Sequence, residues 1–343
     1  MVVRLYRHRI STVLAVVALS LVFAVPAGAA PTFNRVDAAA GWLARQMVDG
    51  EHFEVVFGDQ SFPDQGLTID GVLAFAAART SDAYAARATA WLARPEILNG
   101  YTGGGGSESY AGATAKLALA AEVRGLDPGS FGGVDLLARL RELQAPSGRF
   151  TDRSDFGDFS NAFSQSFAIL ALGRAGGAPA MAATYLAGSQ CADGGFPLLF
   201  EQPTCTSQAD ATALAVQALL VAGRPLVAAS AVRWLVGIQA ADGSFSDAGV
   251  PNANSTGLAA QALAVSGQLG AWLEARQFVL GLQVGCAGSA TDRGAVAYSA
   301  EGFEQTTAVR ATAQAVPGLA GAGLASLSAH GARPDAPTLR CAS

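Results

Sequence analysis

The chain has 343 residues, a formal net charge of -5 and one lysine, Lys116. Because no cluster of basic residues occurs after the N-terminal leader, composition and charge argue against a nucleic-acid partner. The length is sufficient for a large hydrophobic core and allows one or two domains.

The N-terminus has the residue order of a secretory signal peptide. Basic residues up to Arg9 precede an uncharged run over 10–25 and then Ala27-Gly28-Ala29, which is the basic, apolar and small-residue order of such a leader. We predict a signal peptide over residues 1–29 and a secreted or cell-surface-associated protein without membrane contact after cleavage. The alternative, an uncleaved anchor, is disfavoured because the run of 16 residues is shorter than the ~20 that span a bilayer.

After the leader, a sequence unit recurs at intervals of 44 to 49 residues. Each unit has an aromatic or equivalent residue in its first helix, and in the last four units a glutamine follows five residues later. The six positions are Trp42, Trp91, Arg139, Tyr185, Trp234 and Phe278. A period of this size with two helices per unit predicts an array of helical hairpins.

The unit from Ala231 to Gly267 is the most complete. Its first helix is expected to stop at Gly243, because glycine adopts the left-handed conformation common at helix ends. Phe245 follows as an aromatic anchor. The polar residues 254–256 are typical N-cap residues for a second helix rich in alanine and glycine, which a neighbouring helix can approach closely.

The two ends of the array indicate a closed ring. An open solenoid needs polar capping repeats, whereas the first and last units keep apolar helices over 36–47 and 307–319. We therefore predict an all-α fold, a six-hairpin α/α toroid with a double ring of about twelve helices. The alanine-rich second helices form the inner ring, and residues 31–343 form one domain.

The glutamine and aromatic pattern carries a family resemblance. The runs Trp234-Leu235-x3-Gln239-x3-Gly243-x-Phe245 and Tyr185-Leu186-x3-Gln190-x3-Gly194-x-Phe196 resemble the QW-type motif of the terpenoid cyclase and protein prenyltransferase superfamily. The resemblance implies an α/α toroid with a central cavity, in which these residues brace the outer helices. Cobalamin carriers of the intrinsic-factor type use a similar toroid, and a shared fold does not fix a function.

The catalytic signatures of these toroids are missing from the sequence. No two acidic residues are adjacent, which excludes both the Asp-x-Asp-Asp acid of protonating cyclases and the Asp-Asp-x-x-Asp site for Mg²⁺. Only His52 and His330 remain after the leader for a prenyltransferase-type zinc site. No thioester motif or Gly-x-Ser-x-Gly elbow is present, and the run Gly103 to Gly106 lacks the Lys-Ser/Thr of a phosphate loop. We expect no metal and no cofactor, and the absence of these signatures argues against an enzyme.

Four cysteines follow the leader, and an even number in an exported chain indicates disulfides. Cys191 and Cys205 bracket one loop, and Cys286 and Cys341 would tie the C-terminal tail, 325–343, to the last repeat. We predict these two pairings. A thiolate metal site is the alternative, and it requires reduced cysteines.

Polar residues near the start of each second helix form the candidate ligand site. Counting four residues back from Thr212 and its equivalents gives an acid or amide in every unit, namely Asp64, Glu108, Asn161, Gln208, Asn252 and Gln305. Two residues further along are Gly66, Tyr110, Phe163, Asp210, Asn254 and Thr307. Helix capping explains such residues without any ligand, whereas a polar ring at the mouth of an apolar cavity is typical of a small-molecule site. The predicted ligand-binding residues are Asp64, Asp70, Glu108, Tyr110, Asn161, Gln165, Asp210 and Asn254.

These observations favour an exported, monomeric toroid that binds an apolar molecule with a neutral, hydroxyl-bearing head. Small side chains on the inner helices, together with Phe167, are expected to leave room for the apolar body. Three alternatives stay open: an isoprenoid enzyme with a non-standard acid, a carbohydrate-active enzyme and a cell-surface scaffold. A carbohydrate-active enzyme needs two separated carboxylates, and Asp64, Asp70, Glu108, Asp158 and Asp210 are the candidates for them.

Overall fold

The computed structural model describes residues 30–342, so the predicted signal peptide lies outside the described residues. Thirteen helices occur in this range: α1 (Arg35–Arg45), α2 (Gln65–Ala78), α3 (Asp82–Leu92), α4 (Pro95–Thr102), α5 (Ala111–Val123), α6 (Leu136–Glu142), α7 (Ala162–Arg174), α8 (Ala180–Gly188), α9 (Ala209–Val221), α10 (Pro225–Ile238), α11 (Ala253–Val265), α12 (Leu269–Gly281) and α13 (Gln305–Ala320). Six short strands accompany them: β1 (Pro31–Thr32), β2 (Phe53–Phe57), β3 (Gln60–Asp64), β4 (Ser246–Asp247), β5 (Val250–Pro251) and β6 (Thr338–Leu339).

The helices form two concentric rings, as predicted. The inner ring runs α2, α5, α7, α9, α11 and α13; each helix contacts the next, and α13 contacts α2. The first helices of the six hairpins, α1, α3, α6, α8, α10 and α12, pack around the inner ring, and α4 is an additional helix between α3 and α5. The predicted all-α, six-hairpin toroid is therefore confirmed.

Small residues allow the inner helices to pack closely against one another. A Cβ atom added at Gly257 on α11 would lie 2.5 Å from the carbonyl oxygen of Gln314 on α13. Alanine residues such as Ala213, Ala259 and Ala315 are fully buried. The alanine and glycine content therefore serves contact between helices, and does not by itself open the centre of the ring.

The recurring glutamines of the last three units brace the outer ring, as the family resemblance implied. Each Nε2 donates to a glycine carbonyl in its own turn and to a carbonyl of the next outer helix. The distances are 2.8 and 3.2 Å for Gln190, 3.0 and 2.9 Å for Gln239, and 2.8 and 2.8 Å for Gln283, whose second acceptor is Arg35 of α1. The bond from Gln283 to Arg35 joins the last hairpin to the first and closes the outer ring.

Gln165 performs the same bracing in the third unit, although it lies on an inner helix. Its Nε2 donates to the carbonyls of Gly148 (3.0 Å) and Ala182 (3.1 Å), and its Oε1 accepts from the Phe150 N–H (2.8 Å). The side chain is fully buried. The amide of Gln165, predicted to bind ligand, is therefore occupied by the scaffold.

The two predicted disulfides, Cys191–Cys205 and Cys286–Cys341, are present. The second brings the C-terminal segment back to the last repeat, and β6 pairs in parallel with β1 beside it. Both ends of the described chain are thus fixed at one place on the ring. Two disulfides fit an extracellular protein.

Residues 321–341, here called the strap, cross the C-terminal ends of the inner helices. Along its length, backbone N–H groups donate to Gln217 on α9, to Val123 at the end of α5 and to Arg79 after α2, at 2.8, 2.9 and 3.0 Å. Arg174 at the end of α7 donates to the carbonyls of Leu324, Ala325 and Leu327. The strap therefore covers one end of the ring, and the loops before the inner helices form the opposite end, here called the mouth.

Under the strap, Arg174 Nε lies 3.6 Å from the carboxylate of Glu122. Burial raises the pKa of Glu122 from 4.5 to about 7, although Arg174 opposes the shift. The folded protein thus binds this proton more tightly than the unfolded chain, so the contribution of Glu122 to stability is complete below about pH 4.5 and is lost as the pH rises to about 7. We expect E122Q to have the same melting temperature as the wild type at pH 4.5 and a higher melting temperature than the wild type at pH 8.

Thermal unfolding of wild type and E122Q across this pH range measures the effect. The exposed Glu301 offers a control, because E301Q makes the same change in charge on the surface. A difference in melting temperature between E122Q and wild type that stays constant from pH 4.5 to pH 8 would contradict the prediction.

Among the helices of residues 30–342, none is long and apolar enough to cross a membrane.

Candidate functional site

A cavity of about 130 Å³ lies at the centre of the ring. All six inner helices contribute to its wall, and Leu324 of the strap contributes from one end. The lining residues are Asp70, Leu73, Lys116, Phe163, Phe167, Leu214, Leu258, Gln261, Ala313, Gln314, Pro317 and Leu324.

The repeat determines which residues reach this cavity. The residue six positions after the N-cap of each inner helix lines it; the N-caps of α2, α5, α7, α9 and α11 are Asp64, Tyr110, Asn161, Gln208 and Asn252. This set, here called the middle tier, comprises Asp70, Lys116, Phe167, Leu214, Leu258 and Gln314.

The sixth unit fits the same register once an extra helical turn is removed. Thr312 Oγ1 accepts the Val296 N–H at 2.8 Å, just as Thr212 accepts the Phe196 N–H at 2.8 Å. Counting back four residues from Thr312 gives Ala308 as the equivalent of an N-cap. Gln305 and Thr307, which the sequence alignment placed in the polar ring, belong to the added turn, so their alignment was wrong.

The middle tier divides into a polar and an apolar half. Gln314, Asp70 and Lys116 come from the consecutive helices α13, α2 and α5, whereas Phe167, Leu214 and Leu258 come from α7, α9 and α11. A molecule in the cavity therefore meets polar groups on one side and hydrocarbon on the other. Such a wall suits an amphipathic ligand.

The polar half contains an ion pair. Lys116 Nζ lies 2.6 Å from Asp70 Oδ1 and donates to the Gly66 carbonyl at 3.0 Å. The two side chains are 15% and 13% exposed. Nζ also lies 5.9 Å from the centre of the Phe167 ring. Because the two charges oppose each other at contact distance, the polar half carries no net formal charge.

Asp64 and Asn161, two of the predicted site residues, cap inner helices. Asp64 accepts the Leu67 N–H at 2.8 Å and contacts Arg310 of α13 at 2.6 Å. Asn161 accepts the Phe163 N–H at 2.9 Å. These contacts are the capping role that the sequence offered as the alternative to a ligand site.

Glu108 and Tyr110 lie on the loop before α5, and their alignment in the polar ring was wrong by two residues. The N-cap of α5 is Tyr110, so Glu108 is not equivalent to the other caps. Tyr110 Oη donates to Glu108 at 2.9 Å, and the Asp155 N–H donates to Glu108 at 3.0 Å. The bond from Asp155, followed by that from Tyr110, lowers the pKa of Glu108. Asp152 accepts the Ala111 N–H at 2.7 Å and so supplies the cap that Tyr110 cannot.

Asp210 and Asn254 occupy the first turns of α9 and α11 on the mouth side. The N-cap of α11 is Asn252, which accepts the Ser255 N–H at 2.8 Å, so residues 254–256 lie inside the helix rather than capping it. One side-chain oxygen of Asp210 and one of Asn254 is buried without a partner among the described residues. Burial also raises the pKa of Asp210. These two residues lie above the middle tier and do not line the cavity.

Of the eight predicted residues, the cavity contains Asp70 alone. Lys116, Gln261 and Gln314 were missed, although the sequence singled out Lys116 as the one lysine. A count of six residues beyond each N-cap would have found the middle tier, but two of the six registers could not be read from the sequence. The expected roomy interior is also wrong, because three leucines and two phenylalanines of the inner helices reduce the cavity below the ~300–1,000 Å³ of typical ligand pockets.

Within residues 30–342, no group of three or more His, Cys, Asp or Glu side chains is placed to hold a metal ion.

Comparison with known proteins agrees with this architecture. No protein-family model and no curated protein matches the sequence. A type II terpene cyclase from Scytonema, MstE, solved with geranylgeranyl dihydroxybenzoate, is similar in structure with a TM-score of 0.64 at 14% identity, covering 84% of this chain and 96% of that chain. A protein from Actinoplanes has a TM-score of 0.61 at 16% identity, covering 83% and 97%.

An α-1,6-mannanase of Salegentibacter, solved with α-1,6-mannotriose, has a TM-score of 0.59 at 14% identity, covering 83% of this chain and 99% of that chain. All three identities are low, so the likeness is one of fold. The chain has an α/α-toroid fold similar to that of these three structures.

Proposed function

We propose that this protein binds a small, neutral, amphipathic molecule in the central cavity of the toroid. The division of the middle tier into a polar and an apolar half is the observation that supports it. If the middle tier served only the stability of the fold, we would expect apolar side chains at all six positions. An ion pair in a core adds little stability over hydrophobic residues.

The charges of the cavity favour a neutral head group. Asp70 and Lys116 neutralise each other at 2.6 Å, so an anionic or cationic ligand would bring an uncompensated charge next to largely buried side chains. The volume of about 130 Å³ is close to that of an engineered apolar cavity of ~150 Å³ that binds benzene. A compact alcohol, phenol or short-chain head group is therefore the expected size.

An isoprenoid cyclase is less well supported. MstE is a type II terpene cyclase, and protonating cyclases need a carboxylic acid that is free to donate its proton. The one carboxylate lining this cavity, Asp70, is in contact with Lys116. An ion-paired carboxylate does not supply such a proton.

A carbohydrate-active enzyme is also less well supported. The mannanase was solved as a variant inactivated by replacing two consecutive aspartates, and this chain has no two adjacent acidic residues. Two of the candidate carboxylates, Asp64 and Asp158, contact Arg310 and Arg149. The four tryptophans lie on the outer helices α1, α3, α10 and α12, which leaves the centre without a tryptophan platform for a sugar.

The protein is further proposed to act outside the cell as a monomer, with residues 1–29 removed as a signal peptide. The two disulfides support an oxidising compartment. N-terminal sequencing of the protein recovered from the culture medium tests this proposal, and a mature chain that retains residues 1–29 would overturn it.

Filling the cavity tests the binding proposal. We expect the wild type to bind cyclohexanol, phenol or hexanol, measured by titration calorimetry, and we expect L258F to lose this binding at least tenfold because the larger ring occupies the space beside Phe167 and Leu214. E108A serves as the control, since Glu108 lies on the mouth loop outside the cavity. Undiminished binding in a folded L258F, or loss of binding in E108A, would place the ligand elsewhere.

A further inference from the structure

Below the middle tier, a second set of residues lies three positions further along each inner helix, toward the strap. This lower tier comprises Leu73, Leu119, Leu170, Gln217, Gln261 and Pro317. Four of its members are apolar, and the two glutamines come from the neighbouring helices α9 and α11. The two amides therefore lie at the same level on adjacent helices.

Both glutamines are buried, and neither has its full set of hydrogen bonds. Gln217 and Gln261 are 2% and 3% exposed. Gln217 Oε1 accepts the Leu324 N–H at 2.8 Å, but its Nε2 has no partner among the described residues. Gln261 Oε1 likewise has none. One donor and one acceptor are thus left unpaired near the end of the cavity, where unpaired polar groups are unfavourable.

Gln261 and Leu324 line the cavity itself, whereas Gln217 is not a lining residue and lies behind Leu324, whose N–H it accepts. The charged groups of the middle tier already have partners, because Lys116 contacts both Asp70 and the Gly66 carbonyl. The unsatisfied hydrogen-bonding capacity of the cavity is therefore at the end closed by the strap, here called the floor.

We propose that the floor is a hydroxyl subsite, formed by Gln217 and Gln261, which selects alcohols and phenols over hydrocarbons of the same shape. This inference rests on the proposed binding function. A hydroxyl both donates and accepts, so it can donate to Gln261 Oε1 in the cavity wall and, if it passes the edge of Leu324, accept from Gln217 Nε2. A carboxylate only accepts and an ammonium only donates, and either would leave one glutamine unpaired.

The subsite also fixes the direction of binding. With its hydroxyl at the floor, the ligand places its hydrocarbon between Phe167, Leu214 and Leu258, toward the mouth. An ordered water has the same hydrogen-bonding chemistry as a hydroxyl and is the competing occupant.

Matched probes test the proposal. Phenol is compared with toluene, and cyclohexanol with methylcyclohexane, by titration calorimetry on the full mature chain. We expect each hydroxylated probe to bind the wild type at least tenfold more tightly than its hydrocarbon partner. The preference should fall to near unity in Q261M and Q217M, in which an apolar side chain of similar shape replaces the amide. Q268M, changed at an exposed glutamine of the outer ring, should keep the wild-type preference.

The outcomes separate this inference from the proposed function. Equal affinity of the wild type for both members of a pair would overturn the hydroxyl subsite while leaving the cavity as a binding site. A preference that persists in folded Q261M and Q217M would also overturn it. If no probe binds, the proposed function fails together with the subsite.

A crystal structure with bound phenol decides the case even where a variant fails to fold. The phenol oxygen within hydrogen-bond distance of Gln261 and Gln217 supports the subsite. A water retained between the two amides beneath the phenol would mean an ordered water only, and would overturn it.

Discussion

Replacing both Cys286 and Cys341 with serine is expected to lower the free energy of unfolding by about 4 kcal/mol. The bridge closes a loop of 55 residues, and the entropy that a cross-link over a loop of that length removes from the unfolded chain gives this magnitude. The strap between the two cysteines also covers one end of the ring through its bonds to Gln217 and Arg174. Its release should therefore expose the floor of the cavity as well as destabilise the fold.

The Cys191–Cys205 bridge provides the matched comparison. It closes a loop of 14 residues, so its removal by C191S/C205S is expected to cost about 3 kcal/mol, without affecting the strap. Denaturant unfolding under non-reducing conditions measures both variants, and limited proteolysis locates the released segment. A larger loss in C191S/C205S than in C286S/C341S, or a strap that stays protected from protease in C286S/C341S, would contradict the prediction.

Replacing Lys116 with methionine is expected to destabilise the protein by about 3 kcal/mol. The substitution leaves the carboxylate of Asp70 in the cavity without its partner, and removing one member of a buried ion pair costs ~3–5 kcal/mol. We expect the lower end of this energy range because the Lys116 and Asp70 side chains remain 15% and 13% exposed to solvent. Chemical denaturation of K116M measures the change.

The double variant D70L/K116M should recover most of this loss, because replacing both members of a buried pair with apolar residues is often neutral or stabilising. R310M is the control: Arg310 of α13 likewise pairs with a carboxylate of the α2 segment, that of its N-cap Asp64, but Arg310 is 42% exposed. Exposed pairs contribute ~0–1 kcal/mol, so R310M should cost that much. A double variant less stable than K116M would show that the ion pair is not the source of the effect.

The same substitutions inform the binding proposal. If the polar half of the middle tier contacts the ligand, D70L/K116M should bind hydrocarbons at least as well as the wild type, because its cavity wall is then apolar at both positions. The preference for a hydroxyl, which the floor is proposed to provide, should remain. The contributions of the floor and of the middle tier to ligand binding can therefore be measured separately.

Several features of the protein follow from the sequence alone. The period of 44 to 49 residues, with two helices per unit and apolar terminal units, requires a closed ring, because a helical hairpin buries its apolar faces only against neighbours. The bracing role of Gln190, Gln239 and Gln283 is what the resemblance to the QW-type motif implied, and each of the three side chains hydrogen-bonds to the next outer helix. The cysteine pairing follows from their positions beside one loop and at the chain end.

The candidate site depended on tertiary structure, because it requires the angular register of each inner helix. In the second unit Asp152 of the next unit supplies the cap, so the local sequence around Glu108 and Tyr110 misplaces the helix start by two residues. In the sixth unit an added turn moves Gln305 and Thr307 away from their apparent equivalents. A shift of two or three residues rotates a helix by most of a turn, and the wrong side chains are then assigned to the cavity.

Contacts between distant segments were also decided only by the fold. Asp70 and Lys116 are separated by a whole repeat, and each alone has the sequence context of an ordinary helical residue. The floor combines Gln217, Gln261 and Leu324 from two inner helices and the strap. The sequence by itself determined the ring and its braces, because those interactions act within one unit or between neighbouring units of similar sequence. The tertiary structure decided the cavity, because its wall is built from one residue of every unit and its floor from a segment that no repeat contains.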